Sequence, residues 1–333
     1  MPHRSIALPA CLCCSVSASQ EDGVALHKAF SSFISIESMD VVPLCGGLSP
    51  TRRTLRCTVN GKSYAASILS ALPAQRKREV QAHFLAAKNG FAPTLYYHND
   101  DNTLIIMDFV EGKTLSIDQA RNIEVLNKMS QALNTMSHIQ LDLPANNVFS
   151  YMKEIYDRLI GQQTSLSPLI TQVAEIVKTV EQKIINETRP TVFSHCDLNP
   201  RNIFFVNQKL SIIDWEGASI CYEFFDLASF SILLCLDEKS EASLLEKYLQ
   251  KKPTPEDLKY LQSLKLTIRA FDAFKLFDSL KDLKELADKI DPTSIENFVY
   301  YETLCANDST ANSSEFVFKL ALSELQELLR ETT

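Results

Sequence analysis

The sequence predicts an α+β protein of two lobes, a small β-rich N-terminal lobe and a larger, mainly helical C-terminal one. Three observations carry that expectation. Between Val41 and Phe109 short apolar runs alternate with turn signals, whereas beyond Glu111-Gly112 apolar residues recur three and four apart over long stretches. Asn60-Gly61 stands between two β-prone runs, the strongest two-residue hairpin signal known. Only 8 glycines occur in 333 residues, which favours helix over glycine-made turns. The expected division is a frayed tail over 1–20, a β-rich lobe over 21–110 and a helical lobe with its catalytic loop over 111–333, joined by a linker near 109–113.

Element by element, residues 21–34 present a helical apolar face at Val24, Leu26, Ala29, Phe30 and Phe33. Strands are expected over 54–59 and 63–69, flanking the Asn-Gly turn. A charged helix follows over about 74–89, stopped by Gly90. Two further strands, 94–97 and 103–109, surround the turn Asn99-Asp100-Asp101-Asn102. Helices are then expected over 117–139, 151–160 and 167–187, and again from Phe225 onward with a break at Lys252-Pro253-Thr254-Pro255. Between Thr191 and Asp214 lies a strand-rich island, and no internal repeat is present.

Composition excludes several classes. A net charge of -8 argues against nucleic-acid partners, which require basic surface. No run approaches the ~20 apolar residues of a membrane span; the longest candidate, Phe224 to Leu236, is interrupted by Asp226 and two serines. The nine cysteines are odd in number and mostly isolated among apolar neighbours, as reduced thiols are in the cytoplasm. Leu8-Pro9-Ala10-Cys11 loosely resembles a lipid-attachment site, but the stretch before it is too short and too weakly basic for a signal. Cys11, Cys13 and Cys14 lack the paired spacing of a zinc site.

Chemistry concentrates in the strand-rich island. The apolar entry Val192-Phe193 leads to His195-Cys196-Asp197, Asn202 falls five residues after Asp197, and a two-strand hairpin ends at Asp214. This order brings Asp197, Asn202 and Asp214 to one end of the hairpin. Phosphoryl transfer needs such a set: one carboxylate to orient and deprotonate a hydroxyl, and an amide oxygen with a second carboxylate to hold magnesium. A cleft at the linker is the usual seat of a nucleotide.

The segments Ser194-His195-Cys196-Asp197-Leu198-Asn199-Pro200-Arg201-Asn202-Ile203, Ile212-Ile213-Asp214-Trp215-Glu216-Gly217-Ala218 and Phe224-Phe225-Asp226-Leu227-Ala228 resemble the choline/ethanolamine kinase family, within the aminoglycoside phosphotransferase superfamily of protein-kinase-like enzymes. The likeness leans to its bacterial choline and thiamine kinase branch. It covers roughly residues 40–290 and is strongest over 192–228. It implies a two-lobed protein-kinase-like fold, ATP and Mg2+ as cofactors, and a small-molecule alcohol or amine as substrate. By the same resemblance Asp197 is the catalytic base, and Asn202 and Asp214 are the magnesium ligands. Glu216 lies near metal or substrate, Asp226 braces the catalytic loop, and His195 is structural. Gly46, Gly47 and Ser49 match the turn over the nucleotide phosphates, although Pro50 replaces the usual Asn. Glu79 matches the helix carboxylate that pairs with a phosphate-binding cation, and Met107 and Phe109 match the adenine-contacting linker.

Two departures leave alternatives open. Ser67 stands where the family has a Lys or Arg that grips the α- and β-phosphates, and Arg52, Arg53, Arg56 or Lys62 are the available substitutes. Without a substitute the chain reads as a pseudokinase, a binding module that kept the fold. At the substrate end Trp215 is the single tryptophan, so the late helix offers Phe271, Phe274 and Phe277 with Asp272 and Asp278 instead. Tyr222, Glu223, Tyr300 and Tyr301 are further candidates for holding a cationic amine. An aromatic stripe at this spacing equally describes a helix core. Choline, a related amino alcohol or an amino sugar of the antibiotic-kinase type all remain consistent with these residues. A protein kinase does not, because no Asp-Phe-Gly or Ala-Pro-Glu segment follows the catalytic loop.

Overall fold

The computed structural model describes residues 20–44, 52–143, 145, 147–307 and 313–332. The tail, Cys11, Cys13, Cys14 and the turn bearing Gly46, Gly47 and Ser49 lie outside these residues. Two compact units result: residues through Leu115 together with Arg201–Ala218, and Ser116–Pro200 together with Ser219–Thr333.

The first unit opens with α1 (Gln20–Ser31), β1 (Met39–Pro43), β2 (Arg52–Val59), β3 (Lys62–Leu69), α2 (Pro73–Lys88), β4 (Leu95–His98) and β5 (Leu104–Asp108). The strands form one antiparallel sheet in the order β1-β2-β3-β5-β4. Asn60 (φ 50°) and Gly61 (φ 80°) both take positive φ, as a two-residue hairpin turn requires, and set the register Val59↔Lys62. Alternation then sorts the side chains. Leu55, Cys57, Val59, Tyr64, Ala66 and Ile106 face one way and bury Leu26, Ala29 and Phe30 of α1. Leu69, Ile105 and Met107, with the partly buried Ala65, face the other way and meet Val80 of α2. Pro73 starts α2 and Gly90, at φ 84°, stops it with its N–H on the Ala87 carbonyl.

The chain continues through α3 (Ile117–Ala120), α4 (Ile123–Ser137), α5 (Val148–Gly161), α6 (Ser167–Asn186) and β6 (Thr191–Ser194). The single helix expected over 117–139 is two, because the Asn122 side chain caps the Glu124 N–H at 2.8 Å and restarts the helix. After a 3-10 turn at Pro200–Asn202 come β7 (Ile203–Val206) and β8 (Lys209–Ile212), paired antiparallel. A second 3-10 turn, Trp215–Gly217, leads to β9 (Ser219–Tyr222), which pairs with β6 from Thr191↔Tyr222 to Ser194↔Ser219. Helices α7 (Phe225–Leu233), α8 (Glu238–Leu249), α9 (Pro255–Asp278), α10 (Leu283–Lys289), α11 (Phe298–Asn307) and α12 (Ser314–Thr332) complete the second unit. Its axis is α9, packed against α5, α6, α7 and α12. The break at 252–255 is its start signal: Thr254 and Asp257 cap each other's N–H groups at 3.2 and 2.8 Å.

The β7–β8 hairpin belongs to the first unit although it follows the helices in sequence. Leu115 N–H donates to the Ile203 carbonyl at 2.7 Å, Ile212 N–H to the Phe91 carbonyl at 2.8 Å, and Arg78 to the Glu216 carbonyl at 3.0 Å. Trp215, fully buried, donates its indole N–H to the Ile212 carbonyl at 3.0 Å and lies beside the Phe91 ring. The expected boundary near residue 110 thus has a second crossing, at 201–218, that chain order conceals.

Gly112 sits where this hairpin meets the linker. Its φ of 136° suits only glycine, and a Cβ there stands 2.8 Å from Val206 Cγ2. Gly112→Ala is expected to cost about 1–3 kcal/mol of stability. Denaturant midpoints of the two proteins measure the loss.

Candidate active site

Strand alternation puts Arg52 and Thr54 of β2 on the same sheet face as Ala65 and Ser67 of β3, towards α2. There they line a cavity of about 340 Å³ within the first unit. Its apolar walls include Ala65, Met107, Phe109, Val110, Phe204 and Ile213. Its charged part is one guanidinium between two carboxylates. Arg52 Nη2 is hydrogen-bonded to Glu79 Oε1 of α2 and lies 3.1 Å from Asp214 Oδ1. Burial works against the charge on Arg52, but Asp214, Glu79 and Glu216 together outweigh it and hold the pKa above its ordinary value. Burial likewise raises the Glu79 carboxyl, against the pull of Arg52. Ser67 is 1% exposed and places its hydroxyl 3.4 Å from that of Thr54.

The other three cations are engaged elsewhere. Arg53 forms a two-pronged pair with Asp22 at 2.9 Å on both arms. Arg56 bonds Ser63 and Glu111 and stacks on the Phe109 ring at 4.5 Å. Lys62 bonds Tyr96 and pairs with Asp108 at 3.0 Å.

Asp214 takes a left-handed backbone conformation, φ 66°, which Asp tolerates better than most residues and which ends β8. Ile213 N–H donates to the Asn202 carbonyl at 2.9 Å, so the hairpin ladder holds the Asn202 and Asp214 backbones side by side. Both residues belong to the first unit. Glu216 follows in the 3-10 turn anchored by Arg78.

The second unit carries the loop after β6. Asp226, in the first turn of α7, accepts from the N–H groups of His195 at 2.6 Å and Cys196 at 2.9 Å. Those bonds hold Cys196 at φ 63°, a costly angle for a residue other than glycine. Asp197 follows directly, with its N–H 3.2 Å from His195 Nδ1 and its Oδ1 accepting from Asn199 at 3.0 Å. His195 is fully buried. Burial pushes the Asp226 carboxyl up, outweighing His195 and the two amides. Cys196 Sγ lies 3.3 Å from Ser219 Oγ of β9.

Among the residues expected at a substrate, Tyr222 is half-buried on β9 with its ring edge-on to Phe149 at 5.9 Å. Phe274 is 1% exposed and Phe277 fully buried, the latter against Phe318 of α12. The cavity walls Phe204, Ile213, Ala65 and Val110 went unnoticed in the sequence. In an apolar run nothing distinguishes a wall from a core residue. Among the described residues no group of three or more His, Cys, Asp or Glu side chains is gathered for a metal, and no helix is long and apolar enough to cross a membrane.

The profile of choline/ethanolamine kinases matches residues 70–291. A LicA homolog of Mycoplasma capricolum subsp. capricolum is 23% identical over 158 residues, 47% of this chain and 62% of that protein. The chain thus spans less than two thirds of the curated relatives it matches. Among solved structures, choline kinase LicA from Streptococcus pneumoniae superposes with a TM-score of 0.62 at 18% identity, covering 93% of this chain and 100% of that one. A spectinomycin phosphotransferase in complex with ADP and spectinomycin superposes with a TM-score of 0.66 at 11% identity, over 95% and 99% of the two chains. These likenesses establish the two-lobed, kinase-like α+β fold.

Proposed function

The chain belongs to the choline/ethanolamine kinase family, and from that premise we propose that it is an ATP- and magnesium-dependent kinase phosphorylating a small-molecule hydroxyl, that of choline or a related amino alcohol. The observation that carries this reading is the Arg52–Glu79–Asp214 cluster on the rim of an apolar cavity. Apolar walls suit a flat base, and a guanidinium beside a carboxylate suits a magnesium-bound polyphosphate. We assign the base to Met107 and Phe109, and the phosphate turn to Gly46, Gly47 and Ser49.

Asn202 and Asp214 offer a hard amide oxygen and a carboxylate, the donor types magnesium takes when phosphates complete its shell. Asp214 Oδ1 already stands 3.1 Å from the Arg52 guanidinium, a carboxylate oxygen placed against positive charge and suited to a cation. Magnesium, when bound there, neutralises charge on the transferring phosphate. Asp197 orients the substrate hydroxyl and takes its proton as that oxygen bonds to the γ-phosphorus and ADP leaves. Asp226 and His195 fix the loop that presents Asp197. Glu216 and Tyr222 are assigned to the substrate, and the ring pair Tyr222–Phe149 supports a face for a cationic amine. Phe274, assigned to the same substrate, is buried on α9. Free, mostly buried thiols at Cys57, Cys196, Cys221, Cys235 and Cys305 support a reducing, cytoplasmic setting.

Ser67 favours a second reading, the pseudokinase, and calorimetric titration with ATP separates the two. The kinase reading expects ATP binding that magnesium strengthens, followed by turnover in a screen of choline, ethanolamine and other amino alcohols. No heat at millimolar ATP would overturn it.

A further inference from the structure

Resting on the kinase reading, we infer that Arg52 is the phosphate-gripping cation of this chain, moved from the strand position held by Ser67 to the neighbouring strand. The register sets Thr54 opposite Ser67, so Arg52, two residues along β2, is the diagonal neighbour of Ser67 on the same face. Diagonal neighbours lie about 7–8 Å apart, within reach of a long side chain. The Arg52 guanidinium accordingly ends on Glu79, the helix carboxylate that the family resemblance pairs with the missing cation.

Five further observations agree. Arg52 and Ser67 line the same cavity. The Arg52 side chain is 11% exposed, so its charge acts where water screens it little. Its Nε–H is buried with no acceptor among the described residues, and its Nη2 already lies 3.1 Å from Asp214 Oδ1. A buried guanidinium N–H without an acceptor is the complement of a phosphate oxygen. Arg53, Arg56 and Lys62 are all committed elsewhere. Ser67, relieved of the charge, is left to meet the Thr54 hydroxyl.

The test is binding rather than turnover. ATP in EDTA, MgATP and adenosine are titrated into the full chain and into Arg52→Ala, Arg52→Lys and the double variant Arg52→Ala/Ser67→Lys. Arg52→Ala is expected to weaken metal-free ATP at least about tenfold, the scale of one lost charge-assisted hydrogen bond. Adenosine, which has no phosphate, should keep its affinity and thereby report an intact pocket. Arg52→Lys should fall between, and Ser67→Lys in the Arg52→Ala background should recover much of the ATP affinity. Unchanged ATP affinity in Arg52→Ala overturns the inference, and so does a parallel loss of adenosine, which makes Arg52 merely structural. A wild-type chain that binds no nucleotide overturns the kinase reading itself, an outcome distinct from both.

Discussion

Asp197→Ala is expected to abolish phosphoryl transfer while leaving nucleotide affinity within about twofold of wild type. The expectation rests on where each function is housed. Asp197 lies in the second unit, on a loop whose N–H groups are bound by Asp226, whereas the Arg52–Glu79–Asp214 cluster and its cavity lie wholly in the first. Removing the carboxylate therefore alters no residue that lines the cavity. A positioned base contributes about a hundred- to ten-thousandfold to such a reaction, so residual turnover below about 1% of wild type is expected. Asp197→Asn preserves the shape that Asn199 contacts at 3.0 Å and should be equally inactive, which separates lost basicity from lost structure. The measurement is initial ADP release with the best amino alcohol, alongside ATP calorimetry. Full activity in either variant would remove Asp197 from the mechanism.

The loop bearing Asp197 and the hairpin that follows it were legible in sequence because both are local. Asp197, Asn202 and Asp214 are separated by a short turn and one hairpin, so spacing alone conveys their order. The same holds for the Asn60-Gly61 turn, whose two positive φ angles are written in its residue types. Long-range pairing was not legible. β9 finds β6 only after the chain has passed through the β7–β8 hairpin, and β1 is a five-residue edge strand separated from β2 by the segment 44–51 rather than by a two-residue turn. The choice among Arg52, Arg53, Arg56 and Lys62 failed for a related reason. Alternation puts Arg52 and Arg56 on one face of β2, and only their neighbours in space, Glu79 for one and Glu111 with Phe109 for the other, tell them apart. The helix expected over 117–139 shows the opposite limit, where one cap at Asn122 outweighs a continuous periodicity. Glu79 combined both cases: its identity was readable from the helix, its partner was not.

Asp226→Ala should produce the largest loss of stability of any variant considered. Its carboxylate satisfies two main-chain N–H groups at once, on His195 and Cys196, both buried. Alanine leaves both donors without that acceptor, in a place water reaches poorly. Buried amides stripped of a charged acceptor cost about 1–3 kcal/mol each, so a loss of about 2–5 kcal/mol is expected. The strained Cys196 angle would then relax, carrying Asp197 out of position, so kcat should fall at least about tenfold while ATP affinity holds. Asp226→Asn keeps one acceptor oxygen and should lose less. Acidity adds a check with a defined sign. Burial raises the carboxyl pKa in the folded chain, so the folded state binds the proton more tightly than the unfolded one. The stability owed to that proton is complete below the unfolded value, about 3.9, and is lost as pH rises through the folded value. The gap in denaturant midpoint between wild type and Asp226→Asn should therefore widen as pH is lowered from neutral into that window. A gap that narrows would mean the two N–H groups and His195 hold the carboxylate ionised more strongly than burial opposes it.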